Sequence, residues 1–409
     1  MTMTTDSNFQ SPSLGRGGEG SPFFVIADDI TGAAEIAGLG STYGLSTILL
    51  TKLPDAMPDA QLVVLATDTR SMTEAEAVAE TRAIGQWLCG IISSADAPIT
   101  LYKKVDAAVR GHVVAELQTL METLGYEQAL YLPANPSKGR TISGGCCYVD
   151  GEPIDQTQFA LDPDFPAFTA SICLRLGITP SSRIRVADAV TLDDVRQAIG
   201  QALQNPEPTL LSGASDLFAA LLEHQGFTPL ANAPAFAGLS RTGAALIVCG
   251  STQSTDLTTR PYIRQRDLPL NSMPRDVFDG TQGAAYWLMK IQILHFAKSA
   301  IRPARHGLIL NIPFESSGSS AAALRLRTEM AQVVFALVGR MQPAELVIEG
   351  GATAFAVMQR LGWTSFRITQ QVAPGVVRMQ SLDAPSVHVT FKPGSYPWGD
   401  DLFDWKVEM

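Results

Sequence analysis

The sequence predicts an α/β protein: two α/β lobes with mostly parallel sheets and a ligand cleft between them. Three observations carry this. Short apolar, β-branched runs alternate with amphipathic helical patterns, which builds parallel sheets covered on both faces. The alternation occurs twice, separated by the low-charge stretch GFTPLANAPAFAGLSRTG (226–243) with Pro229 and Pro234. The chain has 409 residues, 46% hydrophobic and 17% charged, enough for two cores and too apolar for a disordered chain.

In the first lobe, FFVIA (23–27), STILL (46–50), LVVLAT (62–67), ITLYK (99–103) and ALYLP (129–133) read as buried strands. Amphipathic stretches at 33–43, 73–92 and 111–124 read as the helices between them. From 137 to 168 the pattern turns irregular and rich in Gly, Pro and Asp, which predicts an elaborated loop or hairpin region. Strand RIRVAD (183–188), helix 193–203, strand TLLSG (209–213) and helix 216–224 complete the lobe. The second lobe starts at ALIVCG (245–250), followed by helix 284–298, strand LILNIP (308–313) and helix 321–338. Strand ELVIEG (345–350), helix 353–361 and strands SFRIT (365–369) and SVHVTF (386–391) close it. The expected organisation is a tail over 1–21, a first domain over 22–235 and a second over 243–409.

Composition excludes several function classes. Net charge is −10, from 30 Lys and Arg against 40 Asp and Glu, which argues against a nucleic-acid partner. It leaves anionic small molecules open, since a site needs only a few local cations. Five scattered cysteines without CxxC spacing read as reduced thiols of a cytoplasmic protein. The N-terminal stretch lacks a basic region followed by an apolar one, and no run approaches 18 apolar residues, so neither a signal peptide nor a membrane span is expected. GLGSTYG (38–44) ends a helix rather than opening one, so it is no dinucleotide fingerprint, and no Gly-Lys pair supplies a P-loop. The five histidines show no metal-ligand spacing.

Chemistry-bearing residues gather at strand ends. FFVIADDITGAAEIAG (23–38) ends a strand at Ala27, places Asp28 and Asp29 next, and opens a helix at Thr31-Gly32. The C-terminal ends of parallel strands face the crevice where α/β proteins bind ligands. Two carboxylates there suit a cation, a proton or sugar hydroxyls, and the 31–33 amides suit an anion. Plain N-capping, the blander role, needs only one acid. LYKKVDAAVRGHVVAEL (101–117) repeats the arrangement: Lys103-Lys104 at a strand end, Asp106 next, then Arg110-Gly111 opening a helix. That set suits an anionic, hydroxylated ligand, with Asp106 available as a base. Arg70, in ATDTRSM (66–72), lies beyond a third strand, so three strand ends converge on one crevice. In the second lobe VIEGGATAFAVMQRLG (347–362) is a strand, a Gly-Gly turn and a helix. Gly350 and Gly351 allow close approach, and the amides near Ala352 and Thr353 can cradle a phosphate. CGST (249–252) likewise sets Gly250 and Ser251 at a strand end.

Together ADDITGAAEIAG (27–38), KKVDAAVRGH with AEL (103–117), the segment from PANPSKGRT to YVDGEPIDQTQFALDPDFP (133–166), VADAVTLDD (186–194), CGST and EGGATA (349–354) resemble one family. It is the four-carbon acid sugar kinases, which phosphorylate threonate, erythronate or 3-oxo-tetronate with ATP. The resemblance runs in family order over nearly everything after the tail. It implies a sugar-acid-binding domain followed by a nucleotide-binding one, ATP and Mg²⁺ as cofactors, and small-molecule partners only, with oligomerisation left open. It also implies Arg70 and the amides of Thr31, Gly32 and Ala33 on the substrate carboxylate. Asp28, Asp29, Lys104 and Arg110 would hold the rest of the acid, with Asp106 as first candidate for the base and Asp29 as second. Ser251, Gly350, Gly351, Ala352, Thr353 and Gly394 would surround the nucleotide, and no residue is assigned to the metal. The chain departs from the family in three places. Ala107, Ala108, Val109, Arg110, Gly111 and His112 stand for Ser-Thr-Leu-Arg-Gly-Asn, and Ala352 stands for a Glu after the two glycines. Lys392-Pro393-Gly394-Ser395-Tyr396-Pro397 stands for Lys-x-Gly-x-Phe-Gly. These leave the acid open and supply the alternative: a sugar-acid and nucleotide-binding sensor of the same fold without turnover.

Overall fold

The computed structural model describes residues 21–94, 98–162, 164–231, 239, 243–250, 269–296, 307–312 and 319–394. The expected tail apart from Ser21, most of the expected linker and Ser251 lie outside these residues. The chain divides into two compact units. One comprises Met1–Asp28, Leu53–Val63 and Thr67–Thr228, the other Asp29–Lys52, Val64–Ala66 and Pro229–Met409. The chain therefore passes from the first unit to the second between the two adjacent aspartates.

The strands of the first half are β1 (Phe23–Ala27), β2 (Thr47–Leu50), β3 (Leu62–Ala66), β4 (Thr100–Lys104), β5 (Gln128–Leu132), β6 (Arg140–Ser143), β7 (Cys146–Val149), β8 (Glu152–Pro153), β9 (Ile184–Val186) and β10 (Thr209–Gly213). In the first unit β1, β4, β10, β5 and β9 pair in that order, all parallel. Every residue of β1 is buried, as a strand covered on both faces must be, and its FFVIA run has no polar side chain to satisfy. β4 ends in two lysines that both stay buried, which requires partners. Lys103 finds one in Glu116 of the helix Val113–Leu124, and Glu116 also accepts from the Thr69 hydroxyl at 3.2 Å. The irregular 137–168 region holds the antiparallel three-stranded sheet β6-β7-β8.

Helix boundaries follow local chemistry. The helix Ile30–Thr42 starts earlier than apolar spacing suggests because Asp29 caps it, accepting the Gly32 N–H at 2.8 Å. The helix expected from 111 begins instead at Val113. Val109 and Gly111 take left-handed backbone (φ 61° and 99°), which no right-handed helix can include. Thr191 and Asp194 form a capping box on the helix Leu192–Gln204.

The second unit contains β11 (Ala245–Cys249), β12 (Leu270–Ser272), β13 (Gly307–Asn311), β14 (Glu345–Glu349), β15 (Ser365–Ala373), β16 (Val376–Ser381) and β17 (His388–Lys392). β12, β13, β11, β14 and β17 run parallel in that order. β16, β15 and β2 then continue antiparallel. β16 carries no clear signal in sequence: it follows β15 across a turn at Gly375 (φ 75°), and its outer positions are only half-buried. Among the described residues the helix expected over 284–298 is α-helical over Ala284–Ile291 and widens to a π-turn at Gln292–Phe296, and 297–298 lie outside the described residues.

Candidate active site

Within the first unit the ends of β1 and β4 and the turn after β3 bring four predicted side chains into one ion-pair cluster. Asp28, 2% exposed, accepts from Arg70 Nε at 3.0 Å and from Nη2 at 3.0 and 2.9 Å, a two-oxygen fork. Arg70 Nη1 lies 3.7 Å from Asp106 Oδ1. Asp106 is gripped a second time by Arg110, whose Nε and Nη2 donate at 2.8 and 2.9 Å to its two oxygens. The Ala108 N–H also donates to Asp106 Oδ2, at 3.0 Å, so the carboxylate organises the turn that follows it.

That turn is strained. A β-branched residue at positive φ is a conformational outlier, and Val109 is one. Gly111 is needed for its own φ and because a Cβ there would stand 3.2 Å from Asp28 Oδ2. The two lysines of β4 separate by strand alternation. Lys103 is tied to Glu116, while Lys104 donates to the Val105 carbonyl at 3.0 Å and its charge acts on Asp106.

Burial alone would push the Asp106 carboxyl up, but Arg110 and then Arg70 outweigh it and hold it well below the usual carboxylate range. Asp106 in turn raises the Arg110 guanidinium. Around this core lie residues that sequence reasoning missed. Asp162 stands 3.5 Å from Arg110 Nη1, and Phe159 offers its ring to Arg110 at 5.6 Å and to Arg140 at 5.7 Å. Arg175 donates to the Ala108 and Phe165 carbonyls at 3.1 and 2.9 Å. Asp162, Phe159 and Arg140 come from the irregular segment without periodicity, where only the family resemblance over 133–166 pointed, and Arg175 comes from the short helix Ile172–Leu176 beyond it. Lys104, Arg70, Arg110 and Arg175 against Asp28, Asp106 and Asp162 leave the cluster net positive. The arrangement can hold an anionic ligand and presents a carboxylate that stays ionised.

In the second unit the helix Ile30–Thr42 begins beside the Gly-Gly turn. A Cβ on Gly351 would fall 2.4 Å from Thr31 Oγ1, so glycine is what lets these helix starts approach. Gly350 has φ 103° and precedes the helix Gly351–Leu361. Thr353 is 3% exposed, and a Cβ on Gly250 would meet its hydroxyl at 2.1 Å, so β11 and this helix also touch through a glycine. Ala352 is exposed beside them. Two of the three amides expected to hold an anion are spent within the first helix, Gly32 on Asp29 Oδ1 and Ala33 on the Asp29 carbonyl (3.0 Å). Gly394 follows β17, and its carbonyl accepts from Lys392 Nζ at 3.3 Å. Lys392 also bonds Glu349, a buried pair the sequence reading did not place in the site although both residues lie in its motifs.

Residues 23–207 match the sugar-binding N-terminal domain family, and residues 308–401 match the nucleotide-binding C-terminal domain family. A D-threonate kinase of Cupriavidus necator is 27% identical over 407 residues, covering 91% of this chain and 94% of the relative. A 3-oxo-tetronate kinase of Methylobacterium radiotolerans is 26% identical over 424 residues, covering 94% and 98%. The solved Haemophilus influenzae protein HI1011 shares the fold with a TM-score of 0.68 at 19% identity, covering 94% of this chain and all of its own. Among the described residues no helix is long and apolar enough to cross a membrane. Both domain matches in this order, and kinase relatives along nearly the whole chain, make it a member of the four-carbon acid sugar kinase family, phosphotransferases with an alcohol group as acceptor.

Proposed function

We propose that this chain transfers the terminal phosphoryl group of ATP to the primary hydroxyl of a four-carbon sugar acid of the threonate, erythronate or 3-oxo-tetronate type. The observation that carries the reading is the Asp28–Arg70–Asp106–Arg110 cluster, which joins cations for a carboxylate to a carboxylate for a hydroxyl proton. Arg70 and Arg110 hold the substrate carboxylate, and Asp28 and Lys104 orient the hydroxyl groups. Asp106 receives the hydroxyl proton as the new O–P bond forms and the bond to ADP breaks. Its low basicity is adequate because a loose phosphoryl-transfer transition state asks little activation of its nucleophile. Asp29, committed to capping, is the second candidate. Gly350–Thr353 and Gly394 surround the ATP phosphates. Mg²⁺ neutralises those phosphates when bound. Among the described residues no group of three or more His, Cys, Asp or Glu side chains is placed to hold a metal.

Coupled ADP release with threonate, erythronate, 3-oxo-tetronate and longer aldonates tests this. Turnover with one four-carbon acid well above the longer ones is expected. Nucleotide binding without ADP release on any acid would replace the kinase by a sensor.

A further inference from the structure

Glu349 and Lys392 end the neighbouring parallel strands β14 and β17 and stand opposite each other in register. Their side chains are 0% and 2% exposed, and Lys392 Nζ donates to Glu349 Oε1 at 2.8 Å. A buried ion pair is a poor source of stability, because stripping water from both charges offsets their attraction and apolar replacements are often as stable. Its presence needs another explanation, and the remaining contacts of the ammonium supply one. Nζ also donates to the carbonyls of Pro393 at 3.0 Å and Gly394 at 3.3 Å. Proline has no N–H, so the turn leaving β17 cannot be held by a backbone donor at that residue.

The main chains of the same two residues reach the other glycine turns. Gly350 donates to the Lys392 carbonyl and Gly250 to the Glu349 carbonyl, each at 3.0 Å. One pair thus ties three separate turns together: Gly250 after β11, Gly350-Gly351 after β14 and Pro393-Gly394 after β17. A trans peptide points its N–H opposite to its C=O. Drawing the Pro393 carbonyl onto the ammonium therefore turns the Gly394 N–H away from it.

We propose that the Glu349–Lys392 pair positions the nucleotide-binding turns and touches no phosphate itself. This rests on the reading that Gly350–Thr353 and Gly394 hold ATP. The Lys392 charge is answered by Glu349, and its protons are directed at three protein oxygens. Its contribution is geometry, not attraction. Loss of the pair should weaken nucleotide binding while leaving the acid site alone.

Lys392→Met alone would strand a buried carboxylate, so the main variant is Glu349→Met with Lys392→Met, which removes both charges at similar volume. ADP titration calorimetry, KM for ATP and for the best acid of the panel above, and Tm are measured. The expected result is a Kd for ADP and a KM for ATP raised at least tenfold, with KM for the acid within twofold and Tm within a few degrees. A folded double variant with wild-type ADP affinity overturns the proposal. If that variant does not fold, Glu349→Gln keeps an oxygen for the ammonium and should weaken ADP binding about threefold, with unchanged KM for the acid. Unchanged ADP affinity there overturns the proposal equally. Hydrogen exchange of the wild type with and without ADP separates the two readings. Protection at 350–354 and 394 supports the underlying nucleotide site, and protection confined elsewhere removes that site whatever the variants do.

Discussion

The two ion-pair assemblies of this chain are built from similar charges and stand in different surroundings. In the first unit Arg70 and Arg110 are 15% and 29% exposed and share Asp106, with Asp28 held by Arg70 and Asp162 at the edge beside Arg110. In the second unit Lys392 and Glu349 are almost wholly enclosed, and the ammonium is bonded to protein oxygens. Partly open guanidiniums can exchange a protein carboxylate for a ligand carboxylate at little net cost, since bonds are traded like for like. An enclosed ammonium cannot. The first assembly is therefore suited to binding and the second to holding backbone, and the partners of the second, 43 residues apart along the chain, are joined only by the pairing of β14 with β17.

The largest effects should come from breaking the open cluster, and its members should fail differently. Asp106→Asn should lower kcat and kcat/KM together by roughly 10² to 10⁴, the span for losing a general base. Arg70→Ala should chiefly raise KM for the acid. It also strands the nearly enclosed Asp28, so it should cost about 3 kcal/mol of stability in chemical denaturation. Steady-state kinetics of both variants decide the base. Near-wild-type kcat in Asp106→Asn, with loss in Asp29→Asn, would move the role to Asp29.

A smaller effect is expected at the Gly-Gly turn, where two principles oppose each other. Alanine is the better helix former by about 1 kcal/mol, so propensity favours Gly351→Ala at the head of its helix. The new methyl would point at Thr31 Oγ1 from 2.4 Å, and such overpacking costs about 1–3 kcal/mol. Packing should win: a lower Tm and ADP binding weakened about tenfold, or about 1.4 kcal/mol. Adding Thr31→Ala should restore most of the Tm. A single variant as stable as wild type would show that the two helix starts do not need this approach.

Much of this was legible in the residues for physical reasons. β1 and β11 are buried at every position, and a strand covered on both faces is most simply written as a continuous apolar run. β14 is equally buried but carries Glu345 and Glu349 at its ends, each with a cation as partner. The strand-end aspartates and Arg70 were legible because a charge directly after such a run has few places to go. Other features were not. Lys103 and Lys104 are chemically identical, and only the presence of Glu116 on the covering helix makes the first structural. Val109 could not be foreseen at positive φ, since its own preference opposes it and the surrounding turn imposes it. Asp162 and Phe159 reach Arg110 from about fifty residues away along an aperiodic segment, a closure that no local pattern encodes.

The smallest expected effect is on pH dependence, and it again separates the two units. The Asp106 carboxyl is depressed when folded, so its contribution to stability is fully present above its unfolded pKa of about 3.9. It is lost only as pH falls through the still lower folded value. Between pH 7 and about 4.5 neither stability nor kcat should decline on its account. His388, at the start of β17, behaves differently. Burial first, and then the positive charge of Arg378, lower its pKa from 6.5, against a weaker opposite pull from Glu345. The unfolded chain then binds a proton that the folded chain resists, so stability falls as pH drops below about 6.5. A thermal series from pH 7.5 to 5 should show a shallow decline in Tm that flattens in His388→Gln, with kcat at pH 7.5 unchanged. An equal decline in the variant would place the acid sensitivity in another group, and a fall in kcat between pH 6 and 5 that disappears in Asp106→Asn would mean that Arg110 and Arg70 do not hold that carboxylate as described.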